Sequence, residues 1–198
     1  MSVTPISRGP LTERHRQSGA TLELIEGWQV AVRYPHPPDR TSNALVDLSH
    51  VPTFEINGPE TSAALISMCG GDVSLRKIHS SDGRHVYRLA PVRAIVFGKL
   101  SPGNGTIDVT GGWTSIALAG PDAERILNKV TAVDLRERTL PVQACCQGPI
   151  FGVNTLFGRF ADRFELHVCS DSAEFFWEVL LDAGQEFGLR PAGLEVLR

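Results

Sequence analysis

Glu165 is the residue whose type and position most directly suggest chemistry. It lies in Phe164-Glu165-Leu166-His167-Val168, where it alternates with Phe164 and Leu166 in the period-2 pattern of a β-strand. A carboxylate in this position can accept two parallel N–H donors from the edge of a heterocycle. The same pattern is typical of a strand whose carboxylate faces solvent, and periodicity does not separate these two interpretations.

The other residues with chemical potential form no familiar motif. The sequence has no G-x-G-x-x-G after a strand, no phosphate-binding loop, no G-x-S-x-G and no H-E-x-x-H. Its six histidines are scattered, which favours surface or edge positions for them. Its four cysteines form no C-x-x-C pair, which predicts reduced, mostly buried thiols and no metal site. Trp28 follows a glycine on a predicted strand, where it either joins the core or lines a pocket.

Composition excludes several classes of protein. A chain of 198 residues with 42% hydrophobic and 21% charged residues is typical of a globular protein with one or two domains. A net charge of −3 argues against a dedicated nucleic-acid-binding protein. No apolar run is long enough for a membrane span, and the first residues show no targeting pattern. These features predict a cytoplasmic protein that binds neither nucleic acid nor membrane.

A strand, a Gly-Pro corner and an amphipathic helix occur in this order twice. The two corners, Gly58-Pro59 and Gly120-Pro121, are 62 residues apart. At this offset Phe54 matches Ile116, and apolar positions of both helices also match. Two copies are too few for a solenoid, which needs about three or more repeats. The repeat predicts a single α+β domain over residues 1–198, with halves at about 44–100 and 106–188.

The remaining sequence predicts two further helices and several strands. Glycines place turns of antiparallel strands at Gln147-Gly148 and around Gly158. Residues 78–83 are predicted to be a loop, and residues 100–105 a turn between the halves. The predicted helices are residues 10–18, mostly exposed, and 172–187; the predicted strands are residues 20–25, 28–34, 86–89, 92–97, 140–146, 150–156 and 163–169; residues 189–198 carry no predicted element.

Short segments along nearly the whole chain match one known family. In their order and spacing they resemble the folate-binding domain of the aminomethyltransferase (T-protein) of the glycine cleavage system. Relatives of that domain include the gamma subunit of heterotetrameric sarcosine oxidase and folate-dependent iron–sulfur assembly proteins. The segments are Gly19-Ala20, Gly27-Trp28, Val46-Asp47-Leu48-Ser49-His50, Gly83-Arg84-His85-Val86-Tyr87, Asp108-Val109-Thr110, Phe164-Glu165-Leu166 and Gly188-Leu189-Arg190-Pro191.

The resemblance implies a fold and a set of binding residues. The fold is α+β, with two ferredoxin-like halves and antiparallel sheets, and without the C-terminal barrel of a full T-protein. In the family, a tyrosine and a glutamate at the positions of Tyr87 and Glu165 help to hold the pterin ring of folate. We take Trp28 as a third candidate for the cofactor pocket. The implied cofactor is tetrahydrofolate, and no metal is expected.

One departure from the family pattern bears on activity. The family has an aspartate shortly after the tyrosine, close to the reacting nitrogen, but here no Asp or Glu follows Tyr87 before Asp108. Without that group, protonation at a folate nitrogen lacks an agent. The resemblance therefore implies a non-catalytic subunit or accessory protein of one-carbon, folate-linked amine metabolism. Its partner would be a larger flavin-dependent amine-oxidising subunit or a separate barrel-containing chain.

Two alternatives stay open at this point. One is a minimal aminomethyltransferase-like enzyme that binds tetrahydrofolate through Tyr87 and Glu165. The other is a folate-binding regulatory or repair-linked protein without turnover. The sequence does not decide whether the chain is an enzyme.

Overall fold

Two large, mainly antiparallel β-sheets organise the chain. The computed structural model describes residues 5–39, 41–100 and 105–197. The described helices are α1 (Thr12–Gln17), α2 (Thr61–Cys69), α3 (Ala123–Asn128) and α4 (Ala173–Gly184). The described strands are β1 (Ser7–Arg8), β2 (Thr21–Ile25), β3 (Trp28–Arg33), β4 (Ala44–Asp47), β5 (Thr53–Asn57), β6 (Ile78–Ser81), β7 (Arg84–Ala90), β8 (Arg93–Phe97), β9 (Thr106–Asp108), β10 (Trp113–Ala119), β11 (Ala144–Ile150), β12 (Val153–Arg159), β13 (Arg163–Cys169) and β14 (Arg190–Ala192).

The strands form three sheets, which we name by their place in the chain. The N-terminal sheet has the order β1-β3-β2, the first sheet β6-β7-β8-β5-β9, and the second sheet β11-β12-β13-β10-β4-β14. Helix α2 packs on the outer face of the first sheet through Leu65. Helices α3 and α4 pack on the outer face of the second sheet, where Ile126 and Trp177 are buried. No helix in the described part of the chain is long and apolar enough to cross a membrane.

The inner faces of the first and second sheets pack against each other. Tyr87, Ile95 and Phe97 of the first sheet share one buried cluster with Cys145 and Leu156 of the second. Both faces of each sheet are therefore covered, one by helices and one by the opposite sheet. A strand in this position has no solvent-facing side, so alternation along its sequence does not mark exposure.

The predicted repeat is present in the topology. Each unit consists of a strand, a helix, a hairpin and a final strand. The first unit is β5, α2, β6-β7 and β8, and the second is β10, α3, β11-β12 and β13. In each sheet the final strand pairs with the first strand of its unit, β8 with β5 and β13 with β10. The two corners agree in detail, since Gly58 and Gly120 both have φ of +118°. This left-handed backbone favours glycine. At Gly120 a side chain is also excluded, because its Cβ would lie 2.6 Å from Asn43 Cα.

The two units exchange the strands that precede them. Strand β4 comes before the first unit in the chain but pairs with β10 of the second sheet. Strand β9 comes before the second unit but pairs with β5 of the first sheet. Since each sheet includes a strand from the other unit, neither sheet is complete from its own segment alone.

The exchanged strands end in the same local motif. Asp47 accepts hydrogen bonds from the backbone N–H and hydroxyl of Ser49, and Asp108 accepts the same pair from Thr110. Each hydroxyl oxygen then accepts a backbone N–H from the unit whose sheet the exchanged strand joins, at 3.3 Å from Ser115 and at 3.0 Å from Thr53. Asp47 and Asp108 are thus structurally equivalent.

Two turns predicted from glycines are wrong. Strand β11 continues through Gly148 to its turn at Phe151-Gly152, and Gly158 lies inside β12. Both glycines instead allow a side chain from elsewhere to approach the strand closely. A Cβ at residue 148 would lie 2.3 Å from Val133 Cγ2, and one at residue 158 would lie 2.2 Å from Tyr87 Oη.

Other local predictions also need correction. Residues 78–81 form β6 rather than a loop, with only Asp82-Gly83 at its turn. The C-terminal segment carries β14, which pairs in parallel with β4, and a short 3₁₀ helix. All four cysteines are free, but only Cys145 is buried and Cys169 is exposed. Of the predicted turn at residues 100–105, residues 101–104 lie outside the described residues.

Candidate functional site

A cavity lies between the inner faces of the first and second sheets. Its volume is about 190 Å³. Strands β7 and β8 contribute to one side of it, and β10 and β13 to the other. The residues that line it are Leu48, Val51, Gly83, His85, Phe97, Ser115, Arg163, Glu165, His167 and Leu197.

Glu165 is buried at this cavity, with only 3% of its surface exposed. It lies in the middle of β13, opposite Ala117 on one side and Gly158 on the other. Its small neighbours leave room on the inner face for a carboxylate and the groups that bind it. The interpretation of Glu165 as a residue on a solvated outer face is therefore wrong, because β13 is covered on both faces.

Arg163 binds one oxygen of this carboxylate. Its Nε and Nη2 donate to Glu165 Oε1 at 3.0 and 2.8 Å. Nη1 donates to Asp162, and the guanidinium lies over the Phe160 ring, 4.7 Å from the centroid. Burial alone would lower the pKa of Arg163, but the Glu165 carboxylate outweighs it and raises that pKa. The buried carboxylate is thus compensated by a fixed positive charge, as burial of a charge requires.

Tyr87 binds the other oxygen. Its hydroxyl donates to Glu165 Oε2 at 3.1 Å, and the side chain is completely buried. Burial, together with the negative charge of Glu165, raises the pKa of Tyr87 well above its ordinary value. The ring fits where Gly158 leaves a gap in β12. Because it is fully buried, Tyr87 acts by holding Glu165 in place.

His167 extends the polar network along β13. Its Nε2 lies 3.2 Å from Tyr87 Oη, and its Nδ1 lies 2.8 Å from Ser115 Oγ. The imidazole also stacks on Phe97, with ring centroids 3.7 Å apart. Burial, with a smaller contribution from His85, lowers the pKa of His167 to about 3. The ring is therefore neutral near pH 7.

His85 is a second titratable group at the cavity. Its Nδ1 lies 2.9 Å from Ser80 Oγ, and its ring packs edge-on against Phe160. Burial lowers its pKa, although the charge of Glu165 acts in the opposite direction. His85 is part-exposed, unlike His167.

The structure brings together two of the three candidate binding residues. Tyr87 and Glu165 are in direct contact, but Trp28 is half-buried in the N-terminal sheet, where it pairs with Ser7 and Ile25. Among the described residues, Trp28 is not one of those that line the cavity. No group of three or more His, Cys, Asp or Glu side chains within the described ranges could hold a metal ion.

Sequence reasoning missed three members of this site: Arg163, His167 and Ser115. The expectation of surface or edge histidines is wrong for His15 and His167, which are 2% and 1% exposed. One signal for His167 was present, because it lies two residues from Glu165 and so shares its face of the strand. Ser115 carried no such signal, since its place depends on how β10 and β13 pair.

Comparison with known proteins identifies a family and agrees with the fold. The family described as GCVT N-terminal domain matches residues 98–198. The aminomethyltransferase of Saccharopolyspora erythraea is 31% identical over 222 residues, which cover 93% of this chain and 60% of that protein. The aminomethyltransferase of Desulfitobacterium hafniense is 28% identical, over 97% of this chain and 62% of that protein. The chain therefore spans about 60% of the length of these curated relatives.

Two solved structures share the fold. The glycine cleavage system aminomethyltransferase T from Bartonella henselae has a TM-score of 0.75 at 18% identity, over 96% of this chain and 60% of that chain. A heterotetrameric sarcosine oxidase from Corynebacterium sp. U-96, in complex with pyrrole 2-carboxylate, has a TM-score of 0.71 at 17% identity, over 91% of this chain and 96% of that chain. The family match over residues 98–198 shows that the chain belongs to the GCVT N-terminal domain family.

Proposed function

We propose that the chain binds a reduced folate through its pterin ring in the cavity between the first and second sheets. One observation carries the proposal: a buried, charge-compensated carboxylate, Glu165, lines this cavity and is held by Arg163 and Tyr87. A carboxylate there accepts N–H donors strongly, because a charged acceptor in a water-poor site roughly doubles the strength of a hydrogen bond.

The residues at the cavity fit such a ring. Leu48, Val51, Phe97 and Leu197 supply apolar walls, and polar side chains, Glu165 among them, line the remainder. This combination is typical of small-molecule sites. The volume of about 190 Å³ is below the roughly 300–1,000 Å³ of pockets that enclose a whole drug-sized ligand. The cavity would thus take a single ring system, with the rest of a folate outside it.

The chain is proposed to act as a non-catalytic subunit or accessory protein of folate-linked amine metabolism. Among the described residues, Glu165 is the one carboxylate that lines the cavity, and Arg163 and Tyr87 already bind it. It is suited to hold a ligand rather than to exchange a proton. The partner would be a larger flavin-dependent amine-oxidising subunit or a separate barrel-containing chain. The match to a chain of a heterotetrameric sarcosine oxidase over 96% of that chain's length supports this assignment.

A second candidate, a minimal aminomethyltransferase-like enzyme, is favoured by His85. This histidine lines the same cavity as Glu165, and it is a titratable group that could take or give a proton there. Folate-dependent activity that disappears in both His85→Ala and Glu165→Ala would support the enzyme. Activity that survives Glu165→Ala would contradict it.

Calorimetric titration with tetrahydrofolate tests the binding site. We expect micromolar affinity, about −8 kcal/mol, which is lost in Glu165→Ala. A matched control is Glu55→Ala, which also removes a carboxylate from an arginine, since Arg93 Nε donates to Glu55 Oε1 at 2.6 Å. This control should bind as the unaltered chain does. No heat at millimolar tetrahydrofolate would refute the proposal.

The partner is tested by isolating the chain from its own host under native conditions. We expect a complex well above the 21.5 kDa of the chain alone. A solitary, stable monomer would count against the subunit assignment while leaving the folate site unaffected.

A further inference from the structure

Four buried side chains, three on the inner face of the second sheet and Tyr87 of the first sheet, form one continuous hydrogen-bonded series. Ser115 Oγ lies 2.8 Å from His167 Nδ1, His167 Nε2 lies 3.2 Å from Tyr87 Oη, and Tyr87 Oη lies 3.1 Å from Glu165 Oε2. None of these residues is more than 3% exposed. We call this series the Ser115–Glu165 relay. Ser115, His167 and Glu165 line the cavity, and Tyr87 lies behind them.

The direction of the hydrogen bonds can be worked out from the Glu165 end. The Glu165 carboxylate is ion-paired with Arg163, so it only accepts. The hydroxyl of Tyr87 has a single proton, and that proton is donated to Glu165. Tyr87 Oη must therefore accept its other hydrogen bond, and the donor is His167 Nε2.

The tautomer of His167 then determines the state of Ser115. A neutral imidazole has one N–H, and here it is on Nε2, so Nδ1 is an acceptor. The donor to Nδ1 is the hydroxyl proton of Ser115. Ser115 Oγ has no other hydrogen bond within the described part of the chain, and its two lone pairs remain free at the cavity wall.

We infer that the relay makes Ser115 a hydrogen-bond acceptor for the ligand and thus a second residue that determines specificity, beside Glu165. Glu165 alone has little capacity left. Its Oε1 receives two hydrogen bonds from Arg163 and its Oε2 receives one from Tyr87, which leaves about one free lone-pair site of about four. Two ligand N–H donors need a further acceptor, and Ser115 supplies it.

The arrangement also defines the class of ligand. Arg163 and Glu165 cancel in charge, and His167 is neutral, so the polar wall carries no net charge from these three groups. The cavity therefore suits an uncharged heterocycle with N–H donors on at least two separate atoms. A ring with acceptors at those positions would face lone pairs and leave buried groups unpaired, which costs affinity. This inference extends the proposed function, and its ligand-binding part rests on it.

Nitrogen-15 NMR of the histidine rings tests the direction of the relay without any ligand. We expect His167 to carry its proton on Nε2, with Nδ1 unprotonated and hydrogen-bonded. In Ser115→Ala the tautomer should stay the same, and only the Nδ1 signal should shift as its donor is lost. A proton on Nδ1, or a charged ring near pH 7, would overturn the inference.

Titration with tetrahydrofolate tests the acceptor role of Ser115. Loss of one hydrogen bond in Ser115→Ala should weaken binding roughly three- to tenfold. The matched control is Ser170→Ala, at a buried hydroxyl without a partner among the described residues, and it should not change the affinity. Unchanged binding in Ser115→Ala, with binding intact in the unaltered chain, would overturn the inference. If the unaltered chain binds no tetrahydrofolate, the proposed function fails. The tautomer of His167 then still tests whether the hydrogen bonds of the relay run in the inferred direction.

Discussion

The two halves of the repeat have the same framework but different inner faces. In the second sheet, β13 presents Glu165 and His167 to the interior. The equivalent positions of β8 in the first sheet hold Ile95 and Phe97. The positions are equivalent because β13 and β8 pair in the same register with β10 and β5, the first strands of the two units. The equivalence extends to the next strands, where Gly158 faces Glu165 and Tyr87 faces Ile95.

The differences between the halves are complementary. Tyr87 of the first half fills the space that Gly158 leaves in the second, and Phe97 stacks on its equivalent, His167. The first half therefore supplies apolar support, the Tyr87 hydroxyl and His85, while the second half supplies the charged pair, His167 and Ser115. The candidate site therefore depends on the different inner-face side chains of the two halves, and neither half could form it alone.

The largest effect on stability is expected from the two equivalent aspartates. Asp47 accepts a hydrogen bond from buried His15 at 2.9 Å, whereas Asp108 is exposed and bonds only Thr110 among the described residues. Burial alone would raise the pKa of Asp47, but hydrogen bonds from His15 and Ser49 outweigh it and lower that pKa. Asp47→Ala should reduce the free energy of unfolding by about 3 kcal/mol, since a charged hydrogen bond is lost and Nε2 of buried His15 is left without its partner. Asp108→Ala should cost about 1 kcal/mol or less. Equal losses in denaturant titrations would contradict the comparison.

The fit of Tyr87 against Gly158 is tested by adding one methyl group. In Gly158→Ala the new Cβ would lie 2.2 Å from Tyr87 Oη, so the tyrosine must move away from Glu165. Overpacking of this kind costs about 1–3 kcal/mol of unfolding free energy. The control is Gly71→Ala, where a Cβ would meet no atom within 4 Å. Urea denaturation of both variants should separate them, and a stable Gly158→Ala protein would show that the gap is not needed.

A third effect concerns pH and develops only on acidification. His167 is neutral in the folded chain, with its pKa lowered to about 3, whereas an unfolded histidine titrates at about 6.5. Between these values the unfolded state binds more protons, so acidification should lower the free energy of unfolding, by up to about 1.4 kcal/mol per pH unit. His50 and His85, whose pKa values are also lowered by burial, contribute with the same sign.

Replacing His167 by phenylalanine, the residue at the equivalent position of the first half, isolates the contribution of His167 to this pH dependence. His167→Phe keeps a ring against Phe97 and removes the titrating group. Its unfolding free energy should depend less steeply on pH between about 4 and 6.5 than that of the unaltered chain. An unchanged slope would mean that His167 is not held neutral.

The repeat could be predicted from sequence, since it depends on local spacing: the Gly-Pro corners set two strand–helix units. The family resemblance predicts that Tyr87 and Glu165 belong to one ligand site, but it does not predict that they contact each other. The role of Gly158 could not be predicted, because a glycine in a turn and a glycine beside an approaching ring look alike in sequence. The burial of His167 and Ser115 depends on packing between the two sheets, which no local pattern records. The position of Trp28 after a glycine on a strand is compatible with a pocket residue, but Trp28 lies in the N-terminal sheet, away from the cavity.

The proposed ligand site lies between the two sheets, at the face where the halves differ. Methyl-labelled NMR of the unaltered chain during titration with tetrahydrofolate tests it most directly. We expect shifts concentrated at Leu48, Val51 and Leu197, which line the cavity, and none at Leu65, through which α2 packs on the outer face of the first sheet. Shifts centred on Leu65, or none at the cavity residues under saturating ligand, would contradict the account.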